Sequence, residues 1–177
     1  MFRVKDVMTD EVVACRADAT LEAAVQIMRE RGCGSVPVVD DANQVVGLVT
    51  DRDAAMCALR EKKALRDLRV REACTRGAVC CQVEDALERA EALMRVNHVR
   101  RLPVLGPGRV LVGILSLTDL ARHLELSETR GGTGLSPRHI AVLLAETSGV
   151  RQPPVTLERT RTSESGPHPI IEPIFHG

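Results

Sequence analysis

The sequence contains no Trp and no Tyr, and its two Phe residues, Phe2 and Phe175, stand near the ends. That excludes the aromatic platforms on which single-stranded nucleic acids and sugars stack, and it predicts an aliphatic core. A surplus charge is lacking too. Lys and Arg number 24 against 24 Asp and Glu, so no global positive field favours nucleic acid and any anion site must be local. No run approaches the roughly 20 apolar residues that span a bilayer, and Met1–Asp6 leads into no apolar signal segment. The expectation is a cytoplasmic protein with neither membrane nor nucleic-acid partner. Without a secretion signal, the six cysteines (Cys15, Cys33, Cys57, Cys74, Cys80 and Cys81) read as small buried apolar groups rather than disulfides. A nucleophile elbow, Gly-x-Gly-x-x-Gly, a Walker loop and His-Glu-x-x-His are all missing, so the chain is not expected to be an enzyme.

What is present is a duplication. The 177 residues, 44% hydrophobic and 27% charged, suffice for one ordinary globular domain or two small ones. A shift of 66 places Thr9 on Thr75, Val13 on Val79, Cys15 on Cys81, Leu21 on Leu87, Ala24 on Ala90 and Met28 on Met94. The same shift, without a gap, places Pro37 on Pro103, Gly47 on Gly113 and Asp53 on Asp119. From Val7 to Asp53 it gives 13 identities over 47 positions, where composition alone gives roughly three or four. In the first copy, Val12–Cys15 reads as a strand, and Leu21, Ala24, Val25 and Met28 recur at helical spacing until Gly32. Val36–Val39 and Val45–Val49 flank the polar turn 40–44 as a hairpin, and a second helix is predicted from Asp51 to Glu61. The second copy repeats this order as 78–81, 87–96, 102–105, 110–115 and 117–126.

The fold class is therefore α/β (α+β): two β-α-β-β-α units, each too small to stand alone, packed as a pseudo-twofold pair. The expected divisions are residues 1–61 and 70–126 for the units and 62–69 for a linker. Residues 127–148 read as a flexible connection and a short helix capped by Ser136-Pro137, and the Pro-rich stretch 149–177 as a mobile, mostly irregular tail.

Two sets of strings carry a family resemblance. The first copy has Asp6-Val7-Met8-Thr9, Gly34-Ser35-Val36-Pro37-Val38-Val39-Asp40 and Gly47-Leu48-Val49-Thr50-Asp51-Arg52-Asp53. The second has His98-Val99-Arg100-Arg101-Leu102-Pro103-Val104 and Gly113-Ile114-Leu115-Ser116-Leu117-Thr118-Asp119. Together they resemble the tandem cystathionine-beta-synthase (CBS) domain pair, or Bateman module, over about residues 1–126, and the chain is similar to small stand-alone bacterial members. The resemblance implies a regulatory module, with no required cofactor, that binds adenosine derivatives (AMP, ADP, ATP, S-adenosylmethionine or NAD) in clefts between the units. Asp53 and Asp119 match the ribose-binding aspartate, and Thr50 and Ser116 the hydroxyl before it. Arg100 and Arg101 match basic positions that reach phosphates, with Arg52 a weaker candidate. The base is expected in an aliphatic slot beside Val36 and Leu102, near Val13 and Val79. The first-copy counterparts of the two arginines are Gly34 and Ser35, so the clefts are expected to be electrostatically unequal. The family's disc-like dimers imply a homodimer, and an unidentified protein partner is expected to read the signal.

Other readings stand beside this one. Thr50-x-x-Asp53 and Ser116-x-x-Asp119 also fit a helix capping box, and capping and ligand binding are compatible. A ligand-free homodimeric interaction scaffold is the alternative, and a thiol switch at Cys80 or Cys81 a third reading. His98 belongs either with the phosphates or at a solvent-facing helix end, and the five His lie at no metal-ligand spacing with the cysteines.

Overall fold

The computed structural model describes residues 2–128 and 136–147; the expected connection through 129–135 and the tail 149–177 lie outside the described residues. The first copy runs β1 (Cys15–Arg16), α1 (Leu21–Arg31), β2 (Ser35–Val39), β3 (Val45–Thr50) and α2 (Asp51–Glu61). The second opens with β4 (Thr75–Arg76) and continues β5 (Cys81–Gln82), α3 (Leu87–Asn97), β6 (Arg101–Leu105), β7 (Leu111–Ser116) and α4 (Leu117–Glu128). The bounds of α1, β2 and β3 fall on those of α3, β6 and β7 at the 66-residue offset, so the duplication in sequence is a duplication in space. Helix α5 (Pro137–Thr147) begins with the expected proline.

Local chemistry explains the helices. Thr20 Oγ1 accepts the Ala23 N–H at 3.1 Å to start α1, whose Leu21, Ala24 and Met28 form the buried stripe. Gly32, at φ 60°, ends it in the left-handed region. In the second copy Leu87, Ala90 and Met94 repeat the stripe, and His98 takes the same left-handed position at φ 52°.

The first strand of each copy is shorter than the sequence suggests. Cys15 and Arg16 pair in parallel with Val38 and Val39, while Val12–Ala14 form no ladder. Pro37 precedes Val38 and has no N–H to extend that ladder, so pairing stops there. Pro103 stands in the same place beside Cys81 and Val104.

The two copies exchange their leading arms. β4, from the start of the second copy, pairs with β3 of the first and completes the sheet β1-β2-β3-β4, while Thr9, from the start of the first copy, bridges Ile114 of β7 beside the sheet β5-β6-β7. Gly47 and Gly113 permit the crossings. A Cβ on Gly47 would lie 2.5 Å from the Thr75 carbonyl oxygen, and one on Gly113 would lie 2.8 Å from that of Thr9. The cores are shared accordingly. Val4 is buried among Leu87, Met94, Leu102 and Leu115 of the second copy, and Leu68 and Val70 among Leu21, Val36 and Val49 of the first. The segment 62–69 therefore contributes a core side chain, since Leu68 is fully buried. Burying such a leucine contributes roughly 1.5–3 kcal/mol. Phe2 is the one Phe, Tyr or Trp among the described residues and it is exposed, its ring edge-on to that of His123, so the core is aliphatic as the composition predicts.

Candidate functional site

Strand β3 runs directly into α2, and β7 into α4, so the last strand residue becomes the helix cap. Asp53 Oδ2 accepts the Thr50 N–H at 3.0 Å and the Thr50 hydroxyl at 2.7 Å, and the Asp53 N–H donates to Thr50 Oγ1 at 3.1 Å. Ser116 and Asp119 repeat this box at 2.8, 2.6 and 3.2 Å. The capping reading is thus realised in both copies. It uses one carboxylate oxygen only. Asp119 Oδ1, 3.9 Å from Arg122 Nη1, keeps lone pairs for an incoming donor.

The second-copy box opens on a cavity of about 450 Å³ between the copies, within the range of small-molecule sites. The leading arm of the first copy supplies Thr9, Glu11, Val12 and Val13, and the C-terminal end of α1 with the residues after it supplies Ile27, Arg31 and Cys33. Arg101, Ile114, Ser116 and Asp119 face them from the second copy, with Thr118 and Arg122 at the start of α4. Ser35, at the head of β2, is the critical wall residue. It is only 4% exposed, and its hydroxyl has no hydrogen-bond partner. An orphaned buried hydroxyl is costly unless something else satisfies it. Three guanidinium groups against two carboxylates leave the wall net positive, the local imbalance a neutral chain requires for an anion site.

A second cavity, of about 310 Å³, adjoins the first and shares Arg101, Ser116 and Thr118 with it. Arg100 lines it from below, and Ile140 and Leu144 of α5 form its roof. Neither arginine side chain has a hydrogen-bond or ion-pair partner among the described residues. Arg101 also reaches the first copy, since a Cβ on Gly34 would lie 3.4 Å from its Nη2 and 3.2 Å from Asp51 Oδ2.

Of the residues singled out from the sequence, Ser116, Asp119, Arg101 and Val13 converge on the larger cavity and Arg100 on the smaller. Val36 and Leu102 do not line either; both are fully buried within the cores, and the aliphatic wall is instead Val12, Val13, Ile27 and Ile114. Val79 packs against the second core. Thr50, Asp53 and Arg52 lie outside both cavities, and the Arg52 N–H is occupied by Asp51 Oδ1 at 2.7 Å. Sequence reasoning missed Arg31 and Cys33 because they belong to the first copy yet face the second. Their only signal was Gly32, the helix stop that turns the chain there. His98 faces neither phosphate site nor open solvent alone: its Nδ1 lies 3.1 Å from the Glu146 carbonyl oxygen in α5.

Burial pushes the Cys81 thiol up to about 12, with Asp85 and Cys80 adding to it, and raises that of Cys80 as well. Both stay protonated near neutral pH, whereas a thiol switch needs a thiolate. Among the described residues no group of three or more His, Cys, Asp and Glu could hold a metal ion, and no helix is long and apolar enough to cross a membrane.

The family pattern described as "CBS domain" matches residues 4–59 and 70–126. The chain is 34% identical over 144 residues to the CBS domain-containing protein YhcV of Bacillus subtilis, which covers 79% of this chain and 99% of that one. It is 31% identical over 124 residues to hypoxic response protein 1 of Mycobacterium tuberculosis, covering 70% and 86%. The crystal structure of hypoxic response protein I with two coordinated zinc ions matches at TM-score 0.64 and 29% identity, over 70% of this chain and 99% of that one. The structure of CBSX2 in complex with AMP matches at TM-score 0.63 and 26% identity, over 73% and 100%. The in-register repeat, the two capped strand-to-helix junctions and these likenesses agree: the chain belongs to the CBS-domain family, as a tandem pair.

Proposed function

We propose that this chain is a non-catalytic regulatory module that binds an adenosine-containing ligand, from the set AMP, ADP, ATP, S-adenosylmethionine and NAD, in the cavity beside Asp119. The observation that carries the reading is the coincidence, in one cavity, of a capped aspartate with a spare carboxylate oxygen and a buried unpartnered serine hydroxyl. A ribose presents two adjacent hydroxyls, and Asp119 Oδ1 has two lone pairs to accept them. Ser35 Oγ and backbone groups of the neighbouring strands offer polar contacts to the base, with Val13, Ile27 and Ile114 against its faces. The unpaired guanidinium of Arg101 attracts phosphate. The AMP complex of CBSX2 supports the ligand class.

A ligand at 100 times its dissociation constant stabilises the folded state by about 2.7 kcal/mol, which for a domain of this size raises Tm by roughly 5–10 °C. Thermal unfolding with each of the five ligands is the test. A shift of that size with at least one supports the proposal, and no shift with any removes the ligand.

A second reading, a homodimeric interaction scaffold, is favoured by one observation. Met56 and Leu59 lie one turn apart on α2 and are 53% and 71% exposed, an apolar edge with a cost in water. Under this reading size measurement gives a dimer while all five ligands leave Tm unmoved.

A further inference from the structure

Helix α5 lies beyond residue 126, where the family match ends, yet it roofs a cavity that shares three lining residues with the proposed ligand site. It packs against α3 and α4. Leu143 is buried in the second core with Ile140 packed beside it, and the Glu146 carbonyl oxygen meets His98. An 11-residue helix is marginal in isolation, so the order of α5 depends on this docking. A modest added interaction beneath it therefore shifts how often it opens. Beneath it lie two arginines without partners, beside Ser116 and Thr118. Arg101, Ser116 and Thr118 line both cavities, next to the Asp119 carboxylate that would hold a ribose.

Resting on the ligand reading above, we propose that α5 is the element that senses the phosphate end of the nucleotide: the phosphates pass between Ser116 and Arg101 to Arg100, beneath Ile140 and Leu144, and clamp the helix down. The ligand class is thereby narrowed to adenosine nucleotides with at least one phosphate. A nucleoside fills the larger cavity and leaves α5 unaffected. Arg100 is exposed and Leu144 is 48% exposed; a phosphate held by Arg100 and Arg101 offsets the positive charge facing Ile140 and Leu144 and fills the space beneath them, and so favours their closed position. His98 takes part by position. It occupies a left-handed site that glycine fills in the first copy, and its ring ties the far end of α5 to α3.

Two independent readouts on the full chain separate the layers. Cys33 is exposed and lines the larger cavity, so its alkylation rate reports occupancy there. Amide hydrogen exchange across 137–147 reports the clamp. Adenosine and ATP are both expected to slow Cys33 alkylation, while only ATP slows α5 exchange, on the order of tenfold. Arg100→Ala, and separately Leu144→Glu, which sets a carboxylate in the roof, are expected to weaken ATP binding and to abolish the α5 effect even at the higher ATP concentration that restores Cys33 protection. ATP protection of Cys33 with α5 exchange unchanged overturns the clamp and leaves the ligand reading standing. Equal slowing of α5 by adenosine and ATP also overturns it. Failure of every ligand to protect Cys33 overturns both.

Discussion

At Asp119 one carboxylate oxygen closes a helix cap and the other takes no part in it, so under the proposed ligand reading the two roles separate by mutation. Asn in its place keeps an acceptor for the Ser116 N–H, and the stability cost is about 1 kcal/mol or less. The negative charge that strengthens bonds to a diol is lost. Elsewhere, single residues set the response to alkali. Burial first, and Cys74 second, push the Cys15 thiol up to about 11, and burial carries Cys81 to about 12, from an ordinary value of 9.0. A thiol whose folded-state pKa is raised contributes stability that is complete below the unfolded value and is lost as pH rises through the folded one. Tm is therefore expected to stay level up to about pH 8.5 and to fall between pH 9 and 11, with Cys15→Ala flattening the fall. A wild-type Tm independent of pH to 11 contradicts this assignment.

Elements were legible where period and punctuation coincide. The stripe of Leu21, Ala24 and Met28 and the stop at Gly32 define α1, and the helix predicted over about 51–61 is α2. Strand ends were less legible because pairing is a tertiary fact. Val12 and Val13 have the composition of a strand, but Pro37 denies them a donor and they line a cavity. The exchanged arms were not legible at all, since nothing local in Thr75-Arg76 tells it to pair with a strand of the preceding copy. Leu68 tests this level. Read as a linker residue it would matter little; fully buried in the first core, Leu68→Ala is expected to cost about 2–5 kcal/mol in chemical denaturation. A cost below roughly 0.5 kcal/mol, the range of ordinary surface changes, would contradict the shared core.

For the whole molecule, the duplication explains why two capping boxes exist and the exchange explains why their surroundings differ. Ser35 and Arg101 are equivalent positions at the offset of 66, yet both line the same cavity as Asp119. One contributes an orphaned hydroxyl and the other a guanidinium, so a near-symmetric scaffold holds an asymmetric site. That inequality was foreseeable from the substitution of Gly34 and Ser35 by Arg100 and Arg101, but the walls were not, because Arg31 and Cys33 come from the opposite copy. Titration calorimetry of ATP into the wild-type chain, Asp119→Asn and Asp53→Asn tests the central claim most directly. The predicted result is measurable wild-type binding, a loss of affinity of about 10- to 100-fold for Asp119→Asn, from charge-assisted bonds of roughly 1.5–3 kcal/mol, and a change within about twofold for Asp53→Asn. Wild-type affinity retained by Asp119→Asn would contradict it.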